Sequence, residues 1–303
     1  MRIKVEHLNY TYNSDSPFAA HALNDVSLTI EEGEFFGIIG HTGSGKSTFV
    51  QHLNALLRVP SSMKKYKKKR HAPPSDTVLQ VGEYDLTQKT TDFFALRSRV
   101  GMVMQYPEYQ LFAETVFDDV AFGYKNFSKE KPSDEEVAAA VRSALEIVGL
   151  NYEEVKDVSP FDLSGGQKRR VAIAGVIVTK PEILVLDEPA AGLDPLGKQE
   201  IMTLLHTLHE SWCRTVIVVS HDMDEVAENC SRVAVFADGT VKYVLPPKEL
   251  FLRAEELYAL GLDIPLTAKI CFALKQYGIN LDCDFTEQDF IRKTLALRKG
   301  ERI

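Results

Sequence analysis

Cysteine is scarce: Cys213, Cys230, Cys271 and Cys283 are the only thiols in 303 residues. They form no CxxC pair and show no metal-ligand spacing, which excludes a disulfide scaffold or a zinc module and fits a reducing compartment. No apolar run approaches the ~20 residues that a membrane-spanning helix needs. The start, Met1-Arg2-Ile3-Lys4-Val5-Glu6, lacks the apolar core of a secretory leader. The expectation is a chain that does not cross a membrane, with a position against one left open. Basic excess is also absent. A net charge of −8 and a pI near 5.6 argue against a generic nucleic-acid binder, whose footprint would be basic. No internal repeat is visible. What is present is an apolar content of 45%, enough for one large α/β domain and a small appendage.

Periodicity orders the chain. Ile3-Lys4-Val5-Glu6 and Val26-Ser27-Leu28-Thr29-Ile30 alternate, while Phe35-Phe36-Gly37-Ile38-Ile39 is continuously apolar, as a strand buried on both faces should be. A helix is predicted over residues 46–57. Residues 61–71 are polar and charged without apolar period, holding six cations between Lys64 and Arg70, and read as an exposed loop. Short strands follow at about 78–81 and 100–104. Val137, Val141, Leu145 and Val148 recur at helical spacing over 135–148, behind a cap at Ser133. A helix opens at Gly165 and runs to about 179, and Pro181 closes the turn before a strand at 183–186. Helix and strand then alternate: helix 197–210, strand 215–219, helix 223–229, strand 232–237. Such alternation implies a mainly parallel sheet with helices on its faces. From about residue 242 only helical segments are predicted, including the capping-box pattern Thr286-Glu287-Gln288-Asp289.

Two motifs carry chemistry by themselves. Gly40-His41-Thr42-Gly43-Ser44-Gly45-Lys46-Ser47 fits G-x-x-x-x-G-K-[ST] between an apolar strand and a helix. Its glycines let successive backbone N–H groups turn inward on phosphate oxygens, and the helix N-terminus adds its dipole. Lys46 would reach the β- and γ-phosphates of ATP and Ser47 would offer an oxygen to Mg2+. Leu184-Val185-Leu186-Asp187-Glu188 is a strand whose first carboxylates appear at its end, where open α/β sheets hold ligands. Asp187 would hold magnesium and Glu188 would polarise the attacking water. His221 follows another apolar strand, so it is expected at the same edge, in reach of the γ-phosphate. Leu163-Ser164-Gly165-Gly166-Gln167 is a further anion-binding design at a helix start. One nucleotide already has its cradle, so this second grip makes sense for the ATP of another subunit.

At these residues the chain resembles the ATPase subunits of ATP-binding-cassette proteins over about residues 1–240. The resemblance implies a nucleotide-binding domain with a parallel core sheet, an antiparallel β subdomain and a helical subdomain at about 105–180. Residues 241–303 are then a small C-terminal helical domain, a dimer contact or a regulatory element. It also implies a nucleotide set of Tyr12, Gly40, His41, Thr42, Gly43, Ser44, Gly45, Lys46, Ser47, Thr48, Gln105, Ser164, Gly165, Gly166, Gln167 and Asp194, with Ser47, Gln105 and Asp187 around magnesium and Glu188 and His221 catalytic. Tyr12 is either the aromatic that stacks on adenine or an ordinary strand tyrosine. A narrower resemblance, carried by the phosphate loop with Gln105-Tyr106-Pro107-Glu108-Tyr109-Gln110-Leu111-Phe112 and Asp118-Asp119-Val120-Ala121-Phe122-Gly123, is to the ATPases of energy-coupling factor transporters, specifically the second of two paralogous chains. It implies a heterodimer with the paralogue, docked at the cytoplasmic face of the cell membrane on a transmembrane coupling protein. That protein would serve substrate-binding membrane subunits for vitamins or transition-metal ions, and no nucleic acid is involved. Glu108, Glu114, Asp118 and Asp119 are either partner contacts or a solvated acidic face. Two departures stand out. Ala190-Ala191 precedes Gly192 where the family has Thr-Ala, and the cations of residues 64–70 lie outside the family pattern; six of them at an anionic leaflet would add about 1 kcal/mol each. The rival reading is a soluble cassette ATPase acting on nucleic acid, ribosomes or cluster assembly. The roughly 116 residues between phosphate loop and signature are too few for the long coiled coil of DNA-repair relatives.

Overall fold

The computed structural model describes residues 1–14, 16–59, 76–128 and 130–298. The basic segment 64–70 lies outside the described residues. In chain order come β1 (Ile3–Tyr12), β2 (Ala20–Ile30), β3 (Phe35–Gly40), α1 (Lys46–Leu53), β4 (Val78–Val81), β5 (Tyr84–Asp85), α2 (Phe93–Arg99) and β6 (Val100–Val103). A 3-10 turn at Pro107–Gln110 leads to α3 (Val116–Phe127), α4 (Asp134–Ile147), α5 (Tyr152–Val155) and α6 (Gly165–Ile177). Then β7 (Ile183–Asp187), α7 (Pro195–Ser211), β8 (Thr215–Val219), α8 (Met223–Asn229), β9 (Arg232–Ala237) and β10 (Thr240–Leu245) precede α9 (Pro247–Phe251), α10 (Ala254–Ala259), α11 (Leu266–Gln276) and α12 (Glu287–Arg298).

Two sheets result, a four-stranded antiparallel sheet in the order β2-β1-β4-β5 and a six-stranded sheet in the order β10-β9-β3-β8-β7-β6. All neighbours in the second are parallel except β10 on β9. β3, β7 and β8 are buried along their whole length, which explains why they read as unbroken apolar runs. Successive side chains feed opposite cores. Phe36, Ile38, Ile183, Val185, Ile217 and Val219 pack with Ile3, Val5, Leu28 and Leu79 of the antiparallel sheet. Leu184, Leu186, Val216 and Val218 face Val120, Val141, Leu145, Ile173 and Leu205 of the helices. Ile39, Val233 and Val235 join a third core with Leu250, Phe251, Leu257 and Ala268 of the C-terminal helices.

Three sequence expectations need correction. α1 stops at Leu53 rather than reaching residue 57, because Ala55 turns to a φ of 56° and Arg97 of α2 binds the Asn54 and Ala55 carbonyls. The chain beyond residue 242 is not purely helical. Asp238-Gly239, both at positive φ, form a tight turn that pairs β10 with β9. The capping box at Thr286 is half formed: its hydroxyl accepts from Asp289 N at 3.3 Å, while the Asp289 carboxylate accepts from Asp284 N and pairs with Lys293. Helix α3, capped by Thr115 on Asp118 N, is an element that the sequence reading above does not contain.

Candidate active site at the carboxyl edge of the sheet

Four consecutive parallel strands bring the motifs to one edge. β3 ends at Gly40 ahead of the phosphate loop, β8 at Val219 just before His221, β7 at Asp187 before Glu188, and β6 at Val103 two residues before Gln105. Ile38 lies beside Val219, Asp187 beside Val219, and Leu186 beside Val103, so the register sets these ends at one level. That edge is where open α/β sheets hold ligands.

The loop passes so close to its neighbours that only glycine fits at two positions. A Cβ on Gly40 would meet Phe236 O at 2.3 Å, and one on Gly45, at a φ of 101°, would meet Ala22 O at 2.6 Å. Ser44 Oγ is buried without a hydrogen-bond partner, an orphan that a ligand oxygen or N–H would satisfy. Lys46 Nζ donates to Gly40 O at 2.7 Å and His41 O at 3.0 Å. Burial lowers its pKa below the ordinary lysine value, against the pull of Glu188 and Asp187. His41 is partly exposed with Nδ1 2.8 Å from Thr42 O, and Thr42 and Gly43 are exposed. Tyr12 stands on β1 with its hydroxyl 3.2 Å from Thr48 Oγ1 and its ring edge-on to Tyr10.

Glu188 is the hub. Its Oε2 accepts from Gln105 Nε2 at 2.7 Å and its Oε1 lies 2.5 Å from His221 Nε2. Its φ of 51° is rare for a residue with a side chain, and such strain persists only where surrounding bonds hold it. Asp187, buried beside it, has its pKa raised by desolvation, with a hydrogen bond from Ser47 opposing. With its amide nitrogen engaged by Glu188, Gln105 keeps Oε1 for another partner. Ser47 Oγ, Gln105 Oε1 and the Asp187 carboxylate make an all-oxygen donor set of the kind magnesium takes together with substrate phosphates. Among the described residues no cluster of three or more His, Cys, Asp or Glu is arranged to hold a metal, so nucleotide oxygens would have to complete the shell.

Other expected site residues stand apart. Ser164 caps α6 in a reciprocal box with Gln167, whose Oε1 accepts from Ser164 N at 3.1 Å. Gly165 and Gly166 are exposed and border open space. Asp194 is exposed and caps α7 by accepting from Gly197 N at 2.8 Å. Among the described residues none of these hydrogen bonds reaches residues 40–47. Of the four acids offered as partner contacts, two are corrected: Asp119 is buried and accepts from Phe112 N and Ala113 N, and Glu108 turns inward toward Arg169. Glu114 and Asp118 remain exposed.

Arg169 escaped the motif reading. It is 6% exposed and its Nη1 donates to Pro189 O at 3.1 Å and Ala191 O at 2.8 Å, directly behind Glu188. A signal existed: Arg169 shares the helical stripe of the buried Ile173 and Ile177, where a cation requires partners.

Comparison with known proteins identifies the family. The ABC transporter family matches residues 23–191. The energy-coupling factor transporter ATP-binding protein EcfA2 of Clostridioides difficile is 45% identical over 302 residues, covering 99% of each chain. That of Symbiobacterium thermophilum is 47% identical over 304 residues, again covering 99% of each. Among solved structures, cbiO1 from Clostridium perfringens, part of the ABC transporter complex cbiONQ, superposes with a TM-score of 0.68 at 36% identity, over 88% of this chain and 97% of that one. An ATP-binding cassette captured as a dimer in a post-hydrolysis state with ADP and Pi gives 0.68 at 27% identity, over 81% and 98%. By these matches and by its site, the chain belongs to the ABC transporter ATPases and, within them, to the EcfA2 ATP-binding proteins of energy-coupling factor transporters.

Proposed function

We propose that the chain hydrolyses ATP at this edge and drives uptake of a micronutrient, as one of two paralogous ATPases on a transmembrane coupling protein. The observation that carries the site assignment is the convergence of Gln105 and His221 on Glu188, at the level of the phosphate loop. Loop amides and Lys46 bind the β- and γ-phosphates, and Tyr12 supports the adenine. Magnesium, held by Ser47, Gln105 and Asp187 with phosphate oxygens, would neutralise charge on the phosphates. Glu188 accepts the proton of the attacking water, oriented from one side by the Gln105 amide and from the other by His221. Ser164, Gly165, Gly166 and Asp194, exposed on this chain, and the half-buried Gln167 serve the nucleotide bound by the partner ATPase.

Residues 1–240 would act as the ATPase unit, with about 105–180 as its helical part, and 241–303 as the appended helical element. No helix among the described residues is long and apolar enough to cross a membrane; the peripheral position on the cytoplasmic face that we assign rests on the likeness to energy-coupling factor transporter ATP-binding proteins. Phe112 and Phe122, exposed where they line a groove between α2, α3 and α6, together with the exposed Tyr106 and Tyr109, are the apolar surface we assign to the coupling protein. The test is Glu188→Gln. Phosphate release should fall by about 10²-fold or more, while ATP still drives association of the two nucleotide-binding chains in size-exclusion chromatography; near-normal hydrolysis would sink the assignment.

A further inference from the structure

We propose that Arg169 is a positioning residue for hydrolysis. It holds the Pro189–Ala191 turn and thereby Glu188, and through Glu108 it couples that turn to the segment that carries Gln105. The inference rests on Glu188 being the base.

The contacts close a circuit. From Glu188 the path runs to Gln105 through a 2.7 Å hydrogen bond, then three residues along the chain to Glu108 in the 3-10 turn. Glu108 Oε2 is 3.9 Å from Arg169 Nε, and Arg169 Nη1 donates to Pro189 O and Ala191 O, returning to the residue after Glu188. Two features of this circuit are costly for a purely structural role. Glu188 sits at a φ of 51°, held by its N–H on Val219 O and by Ala191 N on its carbonyl. Glu108 Oε2 is buried and has no hydrogen-bond partner, at a distance where the charges attract but no N–H···O bond forms. A short approach of the 3-10 turn would convert that attraction into a charge-assisted bond, and a short retreat would lose it.

The circuit also spans the two halves of the proposed mechanism. Arg169 is five residues past Ser164 on the same helix, so α6 links the exposed signature to the Glu188 turn. The Gln105–Phe112 segment leads into the aromatic surface assigned to the coupling protein. Displacement at either end changes the Glu108–Arg169 separation, and Arg169 transmits it to the backbone that orients Glu188. A lysine keeps the charge but not the guanidinium fork.

Steady-state phosphate release by the full chain, assembled with the protein it co-purifies with, should be measured across ATP concentration for Arg169→Met, Arg169→Lys, Glu108→Gln, the Arg169→Met/Glu108→Gln pair and Glu188→Gln. Binding of a fluorescent ATP analogue and thermal melting are read alongside. Arg169→Met should lower kcat at least tenfold with KM and analogue binding within threefold. Arg169→Lys should recover part of kcat, and Glu108→Gln should add little once Arg169 is gone. A kcat for Arg169→Met within twofold of the unmodified chain, with Glu188→Gln inactive, overturns this inference alone. Activity in Glu188→Gln overturns the reading beneath it. Failure of both Arg169 variants to fold, or a parallel loss of ATP binding and turnover in both, makes the residue structural and also overturns the proposal.

Discussion

His52 shows what burial does to one titratable side chain. It is fully buried on α1, its Nδ1 donates to Thr48 O at 2.7 Å, and its ring lies edge-on to Tyr10. Burial lowers its pKa from 6.5 to about 4, with the Thr48 bond opposing, so the folded chain keeps it neutral where the unfolded chain protonates. A depressed histidine pKa means that the unfolded state binds more protons below pH 6.5. Stability is therefore lost as pH falls from 6.5 toward 4 and the loss levels off below, at a cost of about 3 kcal/mol from this group. Denaturant titrations at pH 7, 6 and 5 should show this slope, and His52→Leu should remove its share of the slope between pH 6.5 and 5. Asp119 teaches a parallel lesson. Beside Asp118 it reads as half of an exposed acidic pair, yet the helix turn points one inward onto two backbone N–H groups and the other outward.

Helix α4 is the element whose sequence signals all agree. Ser133 accepts from Glu136 N, the Glu136 carboxylate accepts from Ser133 N at 2.8 Å, and three acids occupy the first turn, where they complement the helix dipole. Val137, Val141 and Leu145 then bury one face against α3 and α6. Ser133→Ala removes one half of the box and should cost about 1 kcal/mol in urea unfolding, with ATP hydrolysis unchanged because the cap is remote from the site. An unchanged midpoint would show that the first turn frays at no cost. In α6 the same capping geometry at Ser164 and Gln167 begins a helix whose first two glycines, Gly165 and Gly166, face open space; on the proposed function the cap holds that surface ready for the partner's nucleotide.

At the scale of the molecule, the third core ties the C-terminal helices to the ATPase sheet. Phe251 is fully buried with Val233 and Val235 of β9 and Ile39 of β3, the strand that ends in the phosphate loop. Phe251→Ala should destabilise by about 3–5 kcal/mol. Because the cavity would open on the sheet itself, the loss should appear in one shared transition, monitored by circular dichroism and by ATP binding together. Two separate transitions, with only one shifted, would mean that the helices fold independently of the sheet.

Local chemistry made part of this protein legible without coordinates. The phosphate loop, the Asp187-Glu188 strand end, the Ser133 cap and the helix–strand alternation depend on neighbours in the chain, where spacing is the physical constraint. Asp238-Gly239 is equally local, a tight-turn dipeptide whose two residues both take positive φ. What only the tertiary structure decided rests on which strands lie side by side. The order β3-β8-β7-β6 places Gln105 and His221 on the same carboxylate although they are 116 residues apart in the chain. It holds Glu188 at a positive φ and sets the carbonyls of Pro189 and Ala191 over a buried Arg169. A buried charge is defined by the partners that the fold supplies, and those partners are distant in sequence.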